Sequence, residues 1–180
     1  TWIFTVLLAC FAFACCRFGI CTTLMTLMKM MRKMTMPRPM YETPKDLHRE
    51  QEILQRICTA WNCEAQKLPI SYKLDYAICK AGDISGFVEI KHRHTNWGSF
   101  PDIMLSLSKF TAASLLYEVT RKPCLFVVGT DDGQVHWCHL HHGDPTLELR
   151  FGGRTTNTRD QADIEPVYHI PNHLFAKLHD

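Results

Sequence analysis

Asp75 is followed, thirteen intervening residues later, by the tripeptide Glu89-Ile90-Lys91, and both stand inside short apolar runs. Residues i and i+2 of a strand share a face, so Glu89 and Lys91 emerge side by side. If the strand carrying Asp75 pairs with theirs, two carboxylates and an ammonium converge. Carboxylates that close repel each other, and a hard divalent cation such as Mg²⁺, which prefers oxygen ligands, relieves the repulsion. A cation that activates water beside a lysine is suited to hydrolysing a phosphodiester. The spacing therefore suggests a metal-dependent nuclease. The competing reading is a solvent-facing ladder of ion pairs on an edge hairpin, because Asp…Glu-x-Lys is a short pattern that recurs by chance.

Three elements must position these residues. Leu68 to Cys79 reads as a strand, Ala81-Gly82-Asp83 as a tight turn, and Ser85 to His94 as the returning strand with Phe87, Glu89, Lys91 and Arg93 on one face. Before them, a helix is expected from about Pro44 to Trp61, with Thr43 as N-cap, Pro44 at the first helical position and Asp46 in the first turn. At about 100° per residue, with Leu47 at zero, Leu54, Ile57 and Trp61 fall near 340°, 280° and 320°, Glu50 near 300°, and Glu52 near 140°. Glu50 thus lies within the apolar face and Glu52 towards water. A carboxylate aimed at a core needs a reason, since burying it unpaired costs several kcal/mol; it is either a site acid or a partner for a basic side chain.

Further along, Thr95 to Pro101 reads as a loop, and Ser106 or Ser108 as the cap of a second helix running to about Lys122. Pro123 to Thr130 reads as a buried strand, and Asp131-Asp132-Gly133 as a hairpin turn into Gln134–His141. This order implies a mixed α/β sandwich with a small central sheet. Residues after His142 show turn formers and scattered apolar positions such as Val167, Ile170 and Phe175 but no clear element.

A helix with Glu50, a strand with Asp75, a strand with Glu89-Ile90-Lys91, then a helix and two strands: this arrangement resembles the PD-(D/E)XK nuclease superfamily over about residues 44–141. KLPISYKLDYAI, FVEIKHRH, SLSK and the later GGRT…IEPVYHIP look similar to small nuclease-like proteins of phages. Leu74 stands where the superfamily normally has a proline before the first acid. The resemblance implies the restriction-endonuclease-like fold, a three-layer sandwich with a small mixed central sheet flanked by helices. It implies Asp75, Glu89 and the backbone carbonyl of Ile90 as ligands of Mg²⁺, with Mn²⁺ as a substitute, and Lys91 as the group that orients or deprotonates the attacking water. Glu50 would reach a second metal or its water, and Lys109, at the start of the second helix, a phosphate. Arg93 with its neighbours His92 and His94 is a candidate contact to phosphate or, equally, a solvated strand end, and Arg154 with Arg150 and Arg159, near Gly152-Gly153, forms a candidate patch for the DNA backbone. DNA is the expected partner, and a homodimer is compatible with the sequence. The rival is a catalytically silent nucleic-acid-binding or assembly protein that keeps the fold.

The chain has 180 residues, 46% hydrophobic and 21% charged, enough for one domain with its own core. Its net charge of +2 hides an asymmetry, because Arg17, Lys29, Arg32 and Lys33 lie in residues 1–35, which hold no acid, leaving the rest at −2. That excludes a general polyanion-binding surface, so DNA contacts must rely on local basic groups and metal ions. The five dispersed cysteines beyond residue 50 suggest reduced, mostly buried thiols in a cytoplasmic protein, the bacterial host's cytoplasm if a phage encodes it. Along His136-Trp137-Cys138-His139-Leu140-His141-His142 no Cys-x-x-Cys pair completes a structural zinc site, and a polar outer strand is expected.

Residues 2–16 form an almost unbroken apolar run, shorter than the ~20 residues of a membrane-spanning helix, and seven of the eight methionines follow between Met25 and Met40. A membrane anchor with a basic flank is one reading. The expectation preferred here is that translation begins at Met34, Met36 or Met40. Residues 1–40 would then be an apolar, Met-rich segment outside the domain, residues 41–180 the nuclease-like domain, and a membrane no partner.

Overall fold

The computed structural model describes residues 43–140, 147–154 and 163–179; the expected N-terminal segment, His141, His142 and Arg159 lie outside them. Helix α1 spans Pro44–Trp61. Thr43 and Asp46 bond reciprocally at its start, each side chain taking the other's backbone N–H, and Asn62 in the left-handed conformation ends it. Ile53, Leu54 and Ile57 are its buried stripe.

Among the described residues nine strands follow: β1 (Glu64–Lys67), β2 (Tyr76–Lys80), β3 (Asp83–Arg93), β4 (Asp102–Ser106), β5 (Cys124–Thr130), β6 (Val135–His139), β7 (Glu148–Gly153), β8 (Ile164–Pro171) and β9 (Ala176–Lys177), with helix α2 (Leu107–Thr120) between β4 and β5. A mixed six-stranded sheet runs β1-β2-β3-β5-β6-β9, and a three-stranded sheet runs β4-β8-β7. Among the described strands only β3 and β5 pair in parallel, as the helical crossover between them requires.

Alternation along β3 sorts the core into two. Val88 and Ile90 face α1, packing with Ile53, Leu54, Ile57, Tyr76 and Val127. Phe87 faces the other way, towards Phe110 and Ala113 of α2 and Ile103, Leu105 and Ile170 of the second sheet. The molecule is thus layered, with helices on opposite faces of the main sheet. Glu89 and Lys91, in phase with Phe87, leave β3 on the α2 face.

Several expectations need correction. The strand expected over Leu68–Cys79 is broken: Ile70–Tyr72 form a 3₁₀ turn closed by Lys73 at φ 63°, so β2 begins only at Tyr76. The stretch before α2 is a true strand, β4, and Ser106 caps the helix. The segment around His136 is not a polar outer strand. It lies between β5 and β9, with His136 and Cys138 buried and His136 stacked on Trp97 at 3.6 Å between ring centroids. The tail beyond His142 supplies β7, β8 and β9. Among the described residues no helix is long and apolar enough to cross a membrane.

Candidate active site

Asp75 sits one residue before β2, where its N–H still bonds to the Val88 carbonyl at 3.0 Å. Its Oδ2 accepts the Ile90 N–H at 2.8 Å, which fixes the carboxylate against β3. The two backbone groups of a strand residue point to the same edge, so the Ile90 carbonyl turns to the Asp75 side as well. Glu89 stands beside them and is 6% exposed. A buried glutamate excludes the solvent-facing ladder.

Lys109, in the first turn of α2, closes the group. Its Nζ lies 2.7 Å from Glu89 Oε2 and 3.8 Å from Asp75 Oδ1. Burial and the Asp75 charge push the Glu89 carboxyl up to about 8, although Lys109 pulls the other way. The ammonium therefore only partly compensates two acids that the fold forces together.

Lys91 follows on the same face. Water reaches it, but dense protein around it and the charges of Arg93 and Lys109 lower its pKa, against the pull of Glu89 and Glu165. Glu165, on β8, was not singled out by sequence. Its Oε2 accepts the Ser106 hydroxyl at 2.6 Å at the N-cap of α2. The only sequence signal for it was its place within IEPVYHIP. Arg93 is engaged elsewhere than at the surface, donating from Nη2 to the Met104 carbonyl at 2.7 Å.

Glu50 points inward and Glu52 outward, with side chains 12% and 62% exposed. The Glu50 carboxylate accepts from Lys67 Nζ at 2.5 Å and from the Tyr76 hydroxyl at 2.8 Å. Among the described residues no hydrogen bond or ion pair joins it to Asp75 or Glu89; Tyr76, the residue after Asp75, stands between. Arg154 follows β7 with its N–H on the Asp163 carbonyl, and Arg150 pairs with Glu148. Among the described residues no hydrogen bond or ion pair joins either arginine to the acid pair. A cleft of about 570 Å³ opens on the α1 face, lined by Arg49, Arg56, His92 and Thr130 among others, and none of the acids around Lys109 borders it. Here converging charge, not volume, marks the chemistry.

The donor set fits a hard divalent cation. The side-chain groups are carboxylate oxygens, the acids are held by backbone and burial, and a cationic ammonium already lies against both. Asp75, Glu89 and the Ile90 carbonyl would hold such an ion.

A family model described as "Phage putative PDDEXK endonuclease" matches residues 36–178. Among curated proteins nothing matches. Among solved structures, the 1.6 Å structure of Archaeoglobus fulgidus Hjc, a Holliday junction resolvase from an archaeal hyperthermophile, is similar at 12% identity and a TM-score of 0.45, over 71% of this chain and 87% of that one.

Proposed function

The chain belongs to the phage PDDEXK endonuclease family, and on that premise we propose that it is a divalent-metal-dependent nuclease acting on DNA, working with Mg²⁺ and accepting Mn²⁺ in its place, in the cytoplasm of a bacterial host. The observation that carries this reading is the acid pair, buried at Glu89 and partly exposed at Asp75. Glu89 is almost fully enclosed beside Asp75, and a single lysine bridges them. Setting a buried carboxylate beside a second, partly exposed one against a single ammonium is a poor way to stabilise a fold, but it suits the capture of a cation of higher charge.

Bound there, the ion would supply Lewis acidity towards a phosphate oxygen and lower the pKa of water. The chain's own residues do the rest. Asp75, fixed by the Ile90 N–H, keeps its carboxylate aimed at the site. Lys91, two residues from Glu89 on the same face, holds the attacking water in line and offsets charge on the phosphate oxygens as the ester oxygen leaves. Its lowered pKa brings the neutral amine closer to reach, so the same nitrogen can take the water's proton. Lys109, released from the acids when a divalent cation takes its place, is available to a phosphate oxygen. Glu50, through Tyr76 and Lys67, supports the start of β2 beside Asp75.

The test is cleavage of plasmid and linear DNA by the purified protein with Mg²⁺, with Mn²⁺ and with chelator, run beside Asp75→Asn and Glu89→Gln. Cleavage that needs the ion and disappears in both variants, with metal binding lost and the fold intact by circular dichroism, supports the reading. Undiminished cleavage by both variants would remove the assignment. Metal and DNA binding without any cleavage would favour the silent binding protein.

A further inference from the structure

On the opposite face of the main sheet, the end of β3 carries a cluster that the nuclease reading leaves unused. His92 and His94 are two residues apart and leave the strand end on the side away from Lys91 and Arg93. Asp131 follows β5, whose parallel register with β3 sets Arg93 opposite Thr130, and its N–H bonds to the Thr95 carbonyl at 3.2 Å. The three side chains therefore come from two adjacent strand ends joined by backbone hydrogen bonds.

His92 Nε2 and His94 Nδ1 stand 3.5 Å and 3.7 Å from the same oxygen, Asp131 Oδ1. All three ligating atoms lie within 4.8 Å of one another. Those spacings are longer than an ordinary hydrogen bond of about 2.7–3.2 Å. They match the roughly 3.4 Å between two ligands held at about 2.1 Å on one tetrahedral ion. His92 is largely enclosed, its side chain only 18% exposed, and among the described residues its Nε2, the atom that faces Asp131, makes no hydrogen bond of ordinary length, which leaves that nitrogen free to ligate.

We propose that His92, His94 and Asp131 form a second metal site, separate from the acidic centre and selective for a borderline transition ion, for which Zn²⁺ is the natural probe. Two imidazoles and one carboxylate suit zinc and disfavour Mg²⁺, which prefers an all-oxygen shell. The ion ties the end of β3 to the turn after β5 and so stiffens the strand that carries Glu89 and Lys91. One neighbour opposes it. Arg49 Nη1 lies 3.4 Å from His94 Nε2. With Nδ1 on the ion, Nε2 carries the ring proton and confronts another N–H, so Arg49 swings away into the cleft it lines.

Equilibrium dialysis of the full chain against Zn²⁺, with melting temperature recorded in Zn²⁺ and in chelator, tests the site. Wild type should bind zinc and melt higher in its presence. His94→Gln and Asp131→Asn should weaken binding by about tenfold or more, the loss seen when even a supporting group of a metal site is removed, and should erase the rise in melting temperature. Arg49→Ala should bind more tightly. Wild-type protein with one equivalent of Co²⁺ provides a measurement that needs no variant, namely visible bands of nitrogen and oxygen coordination without a thiolate charge-transfer band. Equal zinc binding in wild type, His94→Gln and Asp131→Asn, or a thiolate band with Co²⁺, would overturn the proposal.

Discussion

Glu89 carries two consequences at the scale of a single residue. Its carboxyl is pushed up to about 8 from an ordinary 4.5, first by burial and then by Asp75. In the unfolded chain it is ionised above its ordinary value, whereas in the metal-free fold it stays protonated until about 8. Folding therefore takes up a proton across that window. The stability is fully present at the acidic end and is lost as pH rises through the folded value, by up to about 1.4 kcal/mol per pH unit. Melting in chelator should accordingly fall between mildly acidic and mildly alkaline pH, and Glu89→Gln should flatten the profile; a wild-type profile already flat there would show that Glu89 is ionised throughout. Lys91 sets a second test. Lys91→Ala keeps every proposed ligand, so it should bind metal as wild type does while cleaving about 10²-fold more slowly, the cost of losing one preorganised charge. Cleavage at the wild-type rate would make Lys91 a bystander on the strand.

At the scale of elements, what could be read in the sequence follows what each element buries. Helix α1 was legible to its ends because its cap, its proline and one apolar stripe agree. The β2–β3 hairpin was legible from its apolar runs and the Ala81-Gly82 turn, both in the left-handed region. β1 was not, because Glu-Ala-Gln-Lys is a largely exposed edge with no apolar alternation. β7 was missed for a similar reason, since Leu149 and Phe151 face solvent there and Gly152 and Gly153 read as turn formers. Within the candidate site, the acids could be found because charge inside an apolar strand is conspicuous. Glu165 could not, since its approach to Lys91 and Ser106 depends on how the second sheet packs. The phase of α1 yields its own test. Glu50→Gln weakens bonds to Lys67 and Tyr76 beside Asp75 and should lower activity or alter its metal dependence. Glu52→Gln loses only an exposed pair with His48 at 3.3 Å, worth under about 1 kcal/mol, and should leave cleavage unchanged. Equal effects of the two substitutions would show that helix phase has no bearing on the site.

For the molecule as a whole, charge decides how DNA can be held. The chain's net charge is only +2, and residues 36–180 sum to −2, so no strong overall field draws in a polyanion. The lysine best placed to meet a phosphate, Lys109, is tied to Glu89 and Asp75. Binding of DNA and of the divalent cation should therefore be coupled, the ion neutralising the acids and releasing the lysine in one event. Salt dependence reports this directly, because each phosphate neutralised contributes about 0.9 to the slope of log affinity against log salt. With Ca²⁺ replacing Mg²⁺ to hold off cleavage, wild type should bind duplex DNA with a slope about one unit steeper than in chelator. Lys109→Ala should remove that increment in Ca²⁺ and change nothing in chelator. If Lys109→Ala instead flattened the slope in chelator, the lysine would already be contacting phosphate with no divalent cation present, and the ion pair with Glu89 would not be what restrains it.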